Sequence, residues 1–283
     1  MPINHVSDTA RWVAVYRAME TERPDALFHD PFARRLAGPQ GEEIVRSMKR
    51  GAQAAWAMIT RTAVFDELIL AEIARRDIDC VLNLAAGLDT RPFRLPLPAA
   101  LRWIDVDFAA ILDYKWNLLR NERSSCQYET APTDLTDGDA RRALFARVAG
   151  DHDRVLIVAE GLLIYLTPED VAALATDLHG QPAFLSWLID LASPRLLKWM
   201  QGSWGKKAAG GNAPFRFAPA EGTGFFARAG WREREFRSSW VESKRLNRMM
   251  RGAWLWAVFT LFQTQKMKRE SERMSGIVML ERS

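Results

Sequence analysis

Segments of strand length alternate with helical patterns through the middle of the chain, and this alternation constrains the fold more than any other feature. The strand-like apolar runs lie at 79–84, 101–106, 154–159 and 183–190, and a weaker one lies near 126–130. The helical patterns between them lie at 108–121, 137–148 and 168–178. Strands that alternate with helices in this way are typical of a parallel, doubly wound α/β sheet.

The segments on either side of this core have different patterns. The N-terminal part predicts a helix that ends near Glu22, a short helix from Asp30 to Gly38 and a long helix over 52–76. The C-terminal part predicts strands in "GWREREFRSS" and "SGIVMLERS", with a long helix at 240–265 between them. The Gly-rich stretch at 201–214 is expected to be a mobile loop.

Composition and charge argue against several classes of protein. The chain has 283 residues, a net charge of +4 and a pI near 9.2, but no dense Lys/Arg run before residue 244, so no nucleic-acid partner is expected. The N-terminal segment lacks the cationic start and apolar core of a secretory signal. Cys80 and Cys126 lie far apart with no Cys/His cluster, so we expect no metal site and a reducing, cytoplasmic location.

The first two strand ends carry residues that suit a ligand, since ligands of doubly wound sheets bind at the carboxyl ends of the strands. Gly87 follows the first strand and permits close approach to the backbone, but the three spaced glycines of a dinucleotide fingerprint are absent. Asp105 and Asp107 end the second strand, and a carboxylate there can accept both hydrogens of a ribose diol. The alternatives are an ordinary turn at Gly87 and solvated or helix-capping acids.

The next two strand ends add an acid each. Asp134 and Leu135 follow the third strand, and a carboxylate beside an apolar side chain suits the edge and face of an adenine. Glu160 closes the apolar fourth strand, where a carboxylate needs a partner or a cation. Each acid alone is also compatible with a turn or cap role.

Arg61 places a cation on the core-facing side of the predicted helix at 52–76. It shares a four-residue stripe with Ala57, Phe65, Ile69 and Ile73. The functional interpretation is a clamp on a ligand carboxylate, and the alternative is an arginine that extends to water from the stripe edge. A ligand with an adenosine, a carboxylate and a positive centre is S-adenosylmethionine.

Several motifs, in this order, resemble those of the leucine carboxyl methyltransferase-like class I methyltransferases. They are "DTARWVAVYRAMETERPDALFHDPFARRLAG", "LNLAAGLDTRPFRL", "WIDVDFAAILDYK", "TDLTD", "AEGLLIYLTPED" and "SGIVMLER". The resemblance implies a seven-stranded sheet whose last strand is antiparallel. It also implies one domain, with an N-terminal helical cap at 1–76, a cofactor-binding core at 77–190, and lid elements and terminal strands at 191–283.

The resemblance also implies S-adenosylmethionine as the cofactor and gives roles to the strand-end residues. Arg61 would hold the methionine carboxylate, and the turn Ala85–Gly87 would pass beside the methionine part. Asp107 would bind the ribose, and Asp134 and Leu135 would bind the adenine.

Two further implications concern the reacting end of the cofactor. Glu160 would lie near the sulfonium. Ala85 occupies a position that is often glycine in the family, which is a mild departure from its pattern.

The methyl acceptor is less constrained than the cofactor. Relatives methylate a protein C-terminus, a tRNA side chain or small molecules, and we expect a carboxylate or hydroxyl of a small, partly apolar metabolite. The candidate acceptor-site residues are Tyr165, His29 and Trp254. The rival hypotheses are a nicotinamide-dependent enzyme and a non-catalytic binding or membrane-surface protein with this fold.

The segment at 244–269 has one continuous apolar face, and its unbroken apolar run from Ala253 to Phe259 is far shorter than the ~20 residues of a bilayer span. Its basic flanks would suit a helix that lies on a membrane. We favour a helix that roofs an apolar acceptor pocket, because both of its ends must return to the sheet.

The roof hypothesis predicts that Trp254→Ala leaves affinity for S-adenosylmethionine nearly unchanged but removes methyl transfer to a bulky apolar acceptor. Calorimetry and transfer of a labelled methyl group measure the two effects. Strong, salt-sensitive binding to anionic liposomes that the substitution abolishes would favour the membrane hypothesis instead.

Overall fold

A seven-stranded mixed sheet forms the centre of the protein. The computed structural model describes residues 6–47, 51–210, 214–250 and 264–283. The strands in this part of the chain are β1 (Cys80–Leu84), β2 (Arg102–Asp107), β3 (Gln127–Pro132), β4 (Val155–Ala159), β5 (Phe184–Ala192), β6 (Trp231–Ser238) and β7 (Ser275–Arg282). They lie in the order β3-β2-β1-β4-β5-β7-β6. The first five strands are parallel, and β7 runs antiparallel between β5 and β6.

Helices cover both faces of this sheet. They are α1 (Val6–Thr21), α2 (Ala33–Ser47), α3 (Gly51–Arg76), α4 (Arg91–Arg94), α5 (Ala109–Leu119), α6 (Gly138–Asp151), α7 (Pro168–His179), α8 (Pro194–Gly210), α9 (Ser239–Arg245) and α10 (Gln265–Glu272). Two 3₁₀ turns lie at Leu163–Tyr165 and Gly222–Ala229.

The alternation of side chains along each strand divides the core into two layers. On one face of β1, Leu82 packs in a cluster with Phe145 of α6 and Leu174 of α7. On the other face, Val81 packs with Phe65 and the rest of the apolar stripe of α3. Because both faces are covered, β1 and β4 are buried along their whole length, which explains their continuous apolar sequences.

The predicted alternation of strands and helices is confirmed, with boundaries that differ by about one to three residues. The predicted short helix at Asp30–Gly38 is only the first part of α2. Gly38 interrupts the helical geometry with a φ of 60°, and the helix resumes at Pro39 and ends at Ser47.

Two predictions in the C-terminal third were wrong. Residues 201–210 of the expected mobile loop belong to α8, although each glycine within a helix costs about 1 kcal/mol relative to alanine. The helix expected at 240–265 is not continuous: α9 ends at Arg245, because Asn247 adopts a φ of 52° that helical geometry does not allow. The chain is helical again from Gln265.

The segment after α9 is fixed by a buried ion pair with α1. The guanidinium of Arg248 binds both carboxylate oxygens of Glu20, at 2.8–3.0 Å, and both residues are buried. Residues 251–263, which include Trp254, lie outside the described part of the chain, so the proposed roof helix remains a prediction. None of the helices that the structure describes is long and apolar enough to cross a bilayer.

Asp105 joins three strands and a helix from the interior of the protein. Its carboxylate is fully buried and accepts hydrogen bonds from Asn83 of β1 (3.0 Å), Trp103 of β2 (2.9 Å) and Tyr128 of β3 (2.8 Å). It also pairs with the buried ammonium of Lys115 on α5. With all these donors engaged, Asp105 stabilises the fold, and Asp107 is left as the acid at the carboxyl end of β2.

This burial predicts a large stability effect for Asp105. Asp105→Ala should lower the free energy of unfolding by about 3–5 kcal/mol, because it leaves the Lys115 ammonium buried without a counter-charge. Urea denaturation of the two single variants and of the Asp105→Ala/Lys115→Met double variant measures this. The double variant should lose much less than the sum of the single losses, and strict additivity would contradict the coupling.

Candidate functional site

A cavity of about 1340 Å³ opens at the carboxyl ends of the parallel strands. Its floor is formed by the residues that follow β1 to β5, and its walls come from α1, α3, α8, α10 and the first 3₁₀ turn. The predicted site residues that line it are Arg61, Ala85, Gly87, Asp107, Asp134, Leu135, Glu160 and Tyr165.

Two other candidates do not join this group. His29 is exposed and is not among the residues that line the cavity, because it lies in the turn before α2. The structure therefore does not bring it together with the other predicted site residues. Trp254 lies outside the described residues.

The turn after β1 has an unusual backbone. Ala85 and Gly87 both have a φ of 52°, in the left-handed region that side chains disfavour. A Cβ on Gly87 would lie 3.1 Å from the Cβ of Ala10 on α1. The absence of a side chain at Gly87 therefore lets α1 and the turn approach each other at the edge of the cavity.

Asp107 is tied to this turn. Its Oδ2 accepts the backbone N–H of Gly87 (2.7 Å), and its Oδ1 accepts that of Phe108 (2.7 Å). Burial raises the pKa of Asp107, and the two backbone hydrogen bonds only partly oppose that shift. The carboxylate is thus held in one orientation, with lone pairs remaining for a ligand.

Asp134 and Leu135 form the part of the cavity beyond β3. Asp134 Oδ1 accepts hydrogen bonds from the backbone N–H and the hydroxyl of Thr136, while Oδ2 has no partner among the described residues. The carbonyl of Leu135 accepts a hydrogen bond from Arg141 (2.7 Å), which is paired with Asp177. This fixed turn presents one carboxylate oxygen beside an apolar side chain.

Glu160 lies between two arginines at the centre of the floor. Its Oε1 accepts a hydrogen bond from Arg61 Nε (2.8 Å), and its Oε2 pairs with Arg91 Nη2 (2.8 Å). Arg91 is buried and also pairs with Asp66 and Asp89, each at 2.7 Å.

Arg61 is shared between two strand ends. Its Nη1 lies 3.2 Å from Oδ2 of Asp190 on β5, whose Oδ1 accepts the backbone N–H of Gly161 (2.6 Å). The remaining nitrogen, Nη2, has no partner among the described residues and is available to a ligand carboxylate. Arg61 is therefore both a structural ion-pair partner and a possible clamp, a combination that neither sequence hypothesis included.

The opposite charges of the arginines and carboxylates at the cavity floor stabilise one another's ionised forms. Burial disfavours the charged form of Glu160, but Arg91 and Arg61 outweigh it and hold the pKa of Glu160 below its ordinary value. The same balance, with Arg91 as the largest opposing charge, lowers the pKa of Asp89. Burial likewise opposes the charge on Arg61, and Glu160 and Asp190 more than compensate, so the pKa of Arg61 is raised. Glu160, Asp89 and Arg61 therefore stay ionised at neutral pH.

The sequence interpretation missed Asp66, Asp89, Arg91 and Asp190. Asp190 lies at the end of a strand that was itself predicted, so the rule that selected the other strand-end acids would have found it. Asp89 and Arg91 were visible in the quoted motif "GLDTRPF" but were not given a role. Asp66 carried no local signal, because its partners lie 25 and 28 residues further along the chain.

Tyr165 lines the cavity at the end of the first 3₁₀ turn. Its ring packs against Phe215, with centroids 5.7 Å apart. Burial raises the pKa of Tyr165, and a hydrogen bond with Thr9 and the charge of Arg61 only partly oppose that effect. At neutral pH its hydroxyl therefore remains protonated. The described residues contain no group of three or more His, Cys, Asp or Glu side chains that could hold a metal ion.

The family model and the curated proteins that match this chain are described as methyltransferases. The family model described as "Leucine carboxyl methyltransferase" matches residues 10–179. A Streptomyces avermitilis protein, named as a candidate S-adenosyl-L-methionine-dependent methyltransferase, is 34% identical over 239 residues, which cover 79% of this chain and 82% of the relative. A similarly named Streptomyces coelicolor protein is 38% identical over 181 residues, or 59% of this chain and 61% of the relative.

Solved structures share the fold at low sequence identity. A DUF574 family protein from Streptomyces avermitilis has a TM-score of 0.60 at 12% identity and covers 97% of both chains. A candidate methyltransferase from Thermobifida fusca has a TM-score of 0.55 at 14% identity, with 96% of this chain and 94% of that chain covered.

The geometry of the turn after β1 predicts that substitutions at Gly87 and Ala85 have different effects on stability. Gly87→Ala should lower the free energy of unfolding by about 1–2 kcal/mol, because a Cβ is disfavoured at this φ and would press against Ala10. Ala85→Gly is the matched control, since it removes a Cβ at the same φ and should not destabilise the protein by a comparable amount. Urea denaturation measures both, and an equal loss in the two variants would contradict this explanation.

Proposed function

The chain belongs to the leucine carboxyl methyltransferase family and is an S-adenosylmethionine-dependent methyltransferase, and we propose that it methylates an oxygen of a small, partly apolar acceptor. The preferred oxygen is that of a carboxylate or an acidic hydroxyl. The observation that carries this proposal is that, among the described residues, the two acids nearest the proposed sulfonium position, Glu160 and Asp190, are paired with Arg61 and are not free general bases.

The strand-end residues support a consistent placement of the cofactor. Asp107 would accept hydrogen bonds from the ribose hydroxyls. Asp134 Oδ2 would accept a hydrogen bond from the edge of the adenine, whose face would pack against Leu135. The turn Ala85–Gly87 would pass beside the methionine part, and Arg61 Nη2 would bind its carboxylate.

The charge of the floor supports a cationic cofactor. The central cluster contains three guanidinium groups and four carboxylates: Arg61, Arg91 and Arg94 with Asp66, Asp89, Glu160 and Asp190. S-adenosylmethionine carries two positive groups and one negative group. Its net positive charge would balance the excess carboxylate, with Glu160 and Asp190 on the sulfonium side.

Methyl transfer to oxygen is an in-line displacement, in which the cofactor supplies the activated carbon and the protein supplies alignment and exclusion of water. None of the three histidines that the structure describes lines the cavity. Tyr165 is a poor base because its pKa is raised, and Glu160 and Asp190 are engaged with arginines. An acceptor that is already ionised needs no base, so this arrangement favours a carboxylate.

The size and lining of the cavity favour a partly apolar small molecule. Its volume of about 1340 Å³ exceeds the ~300–1,000 Å³ of ordinary small-molecule pockets, which leaves room for an acceptor beside the cofactor. Its outer walls are rich in aromatic and methionine side chains, among them Trp12, Trp56, Trp199, Met200, Trp240 and Met250. The cytoplasmic location and the single-domain organisation remain sequence predictions.

Incubation of the protein with a cell metabolite extract and S-adenosylmethionine labelled in its methyl group tests the proposed function. We expect a labelled ester or ether of low molecular weight. Label that appears only on protein, on RNA or on nitrogen would overturn the proposal.

The two proposed cofactor contacts predict different selectivity. Arg61→Ala should weaken binding of S-adenosylmethionine by about 1.5–3 kcal/mol but barely affect adenosine, which has no carboxylate. Asp107→Ala is the matched comparison and should weaken both ligands, by about 1–3 kcal/mol. Isothermal titration calorimetry on folded protein measures all four affinities. Equal losses of both ligands in the Arg61 variant would show that Arg61 acts only through its ion pairs.

A further inference from the structure

The arginines that line the cavity fall into two groups. Arg17, Arg61, Arg91 and Arg94 each form ion pairs with carboxylates at 2.6–3.2 Å. Arg195 and Arg216 also line the cavity, but among the described residues neither has a carboxylate partner. Both side chains are exposed, whereas the four paired arginines are buried or half-buried.

The wall that carries Arg195 belongs to one face of α8. The residues of this helix that line the cavity are Arg195, Leu196, Trp199 and Met200, which recur at helical spacing. Lys198 is exposed on the same helix and does not line the cavity. Arg195 therefore presents a cation beside apolar side chains on the cavity face.

The segment that carries Arg216 is attached both to this helix and to the reacting end of the site. Gln201 of α8 donates a hydrogen bond to the carbonyl of Phe215 (2.8 Å). The backbone N–H groups of Arg216 and Phe217 both donate to the carbonyl of Ile164, at 2.7 and 3.2 Å. Ile164 immediately precedes Tyr165, so both arginines lie on elements that are bonded to each other and to the segment that follows Glu160.

We propose that Arg195 and Arg216 recognise an anionic group on the methyl acceptor, so that the acceptor is an amphipathic acid with an apolar body and a carboxylate. The inference rests on the proposed function and narrows its acceptor. Tryptophan and methionine side chains on the same wall would cover the apolar body, and the two guanidinium groups are forks that match a carboxylate.

Methylation of that carboxylate would remove its negative charge and so weaken its contacts with Arg195 and Arg216. The methyl carbon leaves the sulfur of the cofactor and bonds to a carboxylate oxygen, whose lone pair forms the new bond, while the C–S electron pair stays on sulfur. No proton is transferred. The ester product is neutral, so it loses the charge-assisted contacts with the arginines and is released in preference to the acid.

The experiment compares two probes that differ in charge. Calorimetry measures the binding of decanoate and of decanamide, which has the same length but no charge, to protein saturated with S-adenosylhomocysteine. We expect decanoate to bind the unsubstituted protein about tenfold more tightly or better. Arg195→Gln and Arg216→Gln should each reduce this preference, Arg195→Lys should retain only part of it because it keeps the charge but loses the fork, and the matched control Lys198→Gln should leave it unchanged.

Three outcomes would overturn the inference: equal affinity for the two probes, a preference that neither glutamine variant reduces, or no binding of decanoate at millimolar concentration. Unchanged affinity for S-adenosylhomocysteine in each variant shows that the variants are folded. A parallel incubation with labelled S-adenosylmethionine separates this inference from the proposed function. Arginine-dependent binding without methyl transfer to oxygen would contradict only the proposed function, and transfer to neutral acceptors without arginine dependence would contradict only the inference.

Discussion

The buried guanidinium of Arg91 is the interaction on which the candidate site depends. It contacts carboxylates from α3, from the turn after β1 and from the end of β4, and thus joins three separate parts of the chain. Removal of one partner from a buried ion pair typically costs about 3–5 kcal/mol, because the remaining charge is left unpaired. The position of Glu160, and through it that of Arg61, therefore depends on a residue that lies mostly below the cavity surface.

This arrangement separates buried, structural charge from cavity-facing charge at neighbouring positions. Asp105 and Asp107 are two residues apart on β2, yet Asp105 is fully buried and saturated with donors while Asp107 faces the cavity. Their Cβ atoms point to the same side of the strand, since the side-chain period is two. They differ in depth. Asp105 lies inside the sheet, whereas Asp107 is the last residue of β2, at the edge of the sheet.

The sequence predicted the sheet well because its signal is local. A strand that is covered on both faces is apolar throughout, as in β1 and β4, and each such run was found with its boundaries nearly correct. The same rule placed Gly87, Asp107, Asp134 and Glu160 at one edge of the sheet, where the structure brings them together.

The errors arose where the deciding contact is distant in the chain. The end of α9 has a local signal in Asn247, a residue type that tolerates a positive φ, which the prediction did not use, and the pairing of Arg248 with Glu20 depends on α1. In the same way, Asp66 is an unremarkable acid on a helix until Arg91 and Arg94 fold against it. Local composition also misled for 201–210, where glycines suggested a loop but α8 continues.

The ion pair between Glu20 and Arg248 also bears on the order of events during synthesis. The two residues are 228 positions apart, and they hold together α1 and the segment that leads to Met250, both of which line the cavity. Contacts of such long sequence separation carry a loop-closure cost that slows folding. A chain emerging from the ribosome completes β1 to β5 well before Arg248 is made, so the candidate cavity is among the last parts of the molecule to be assembled.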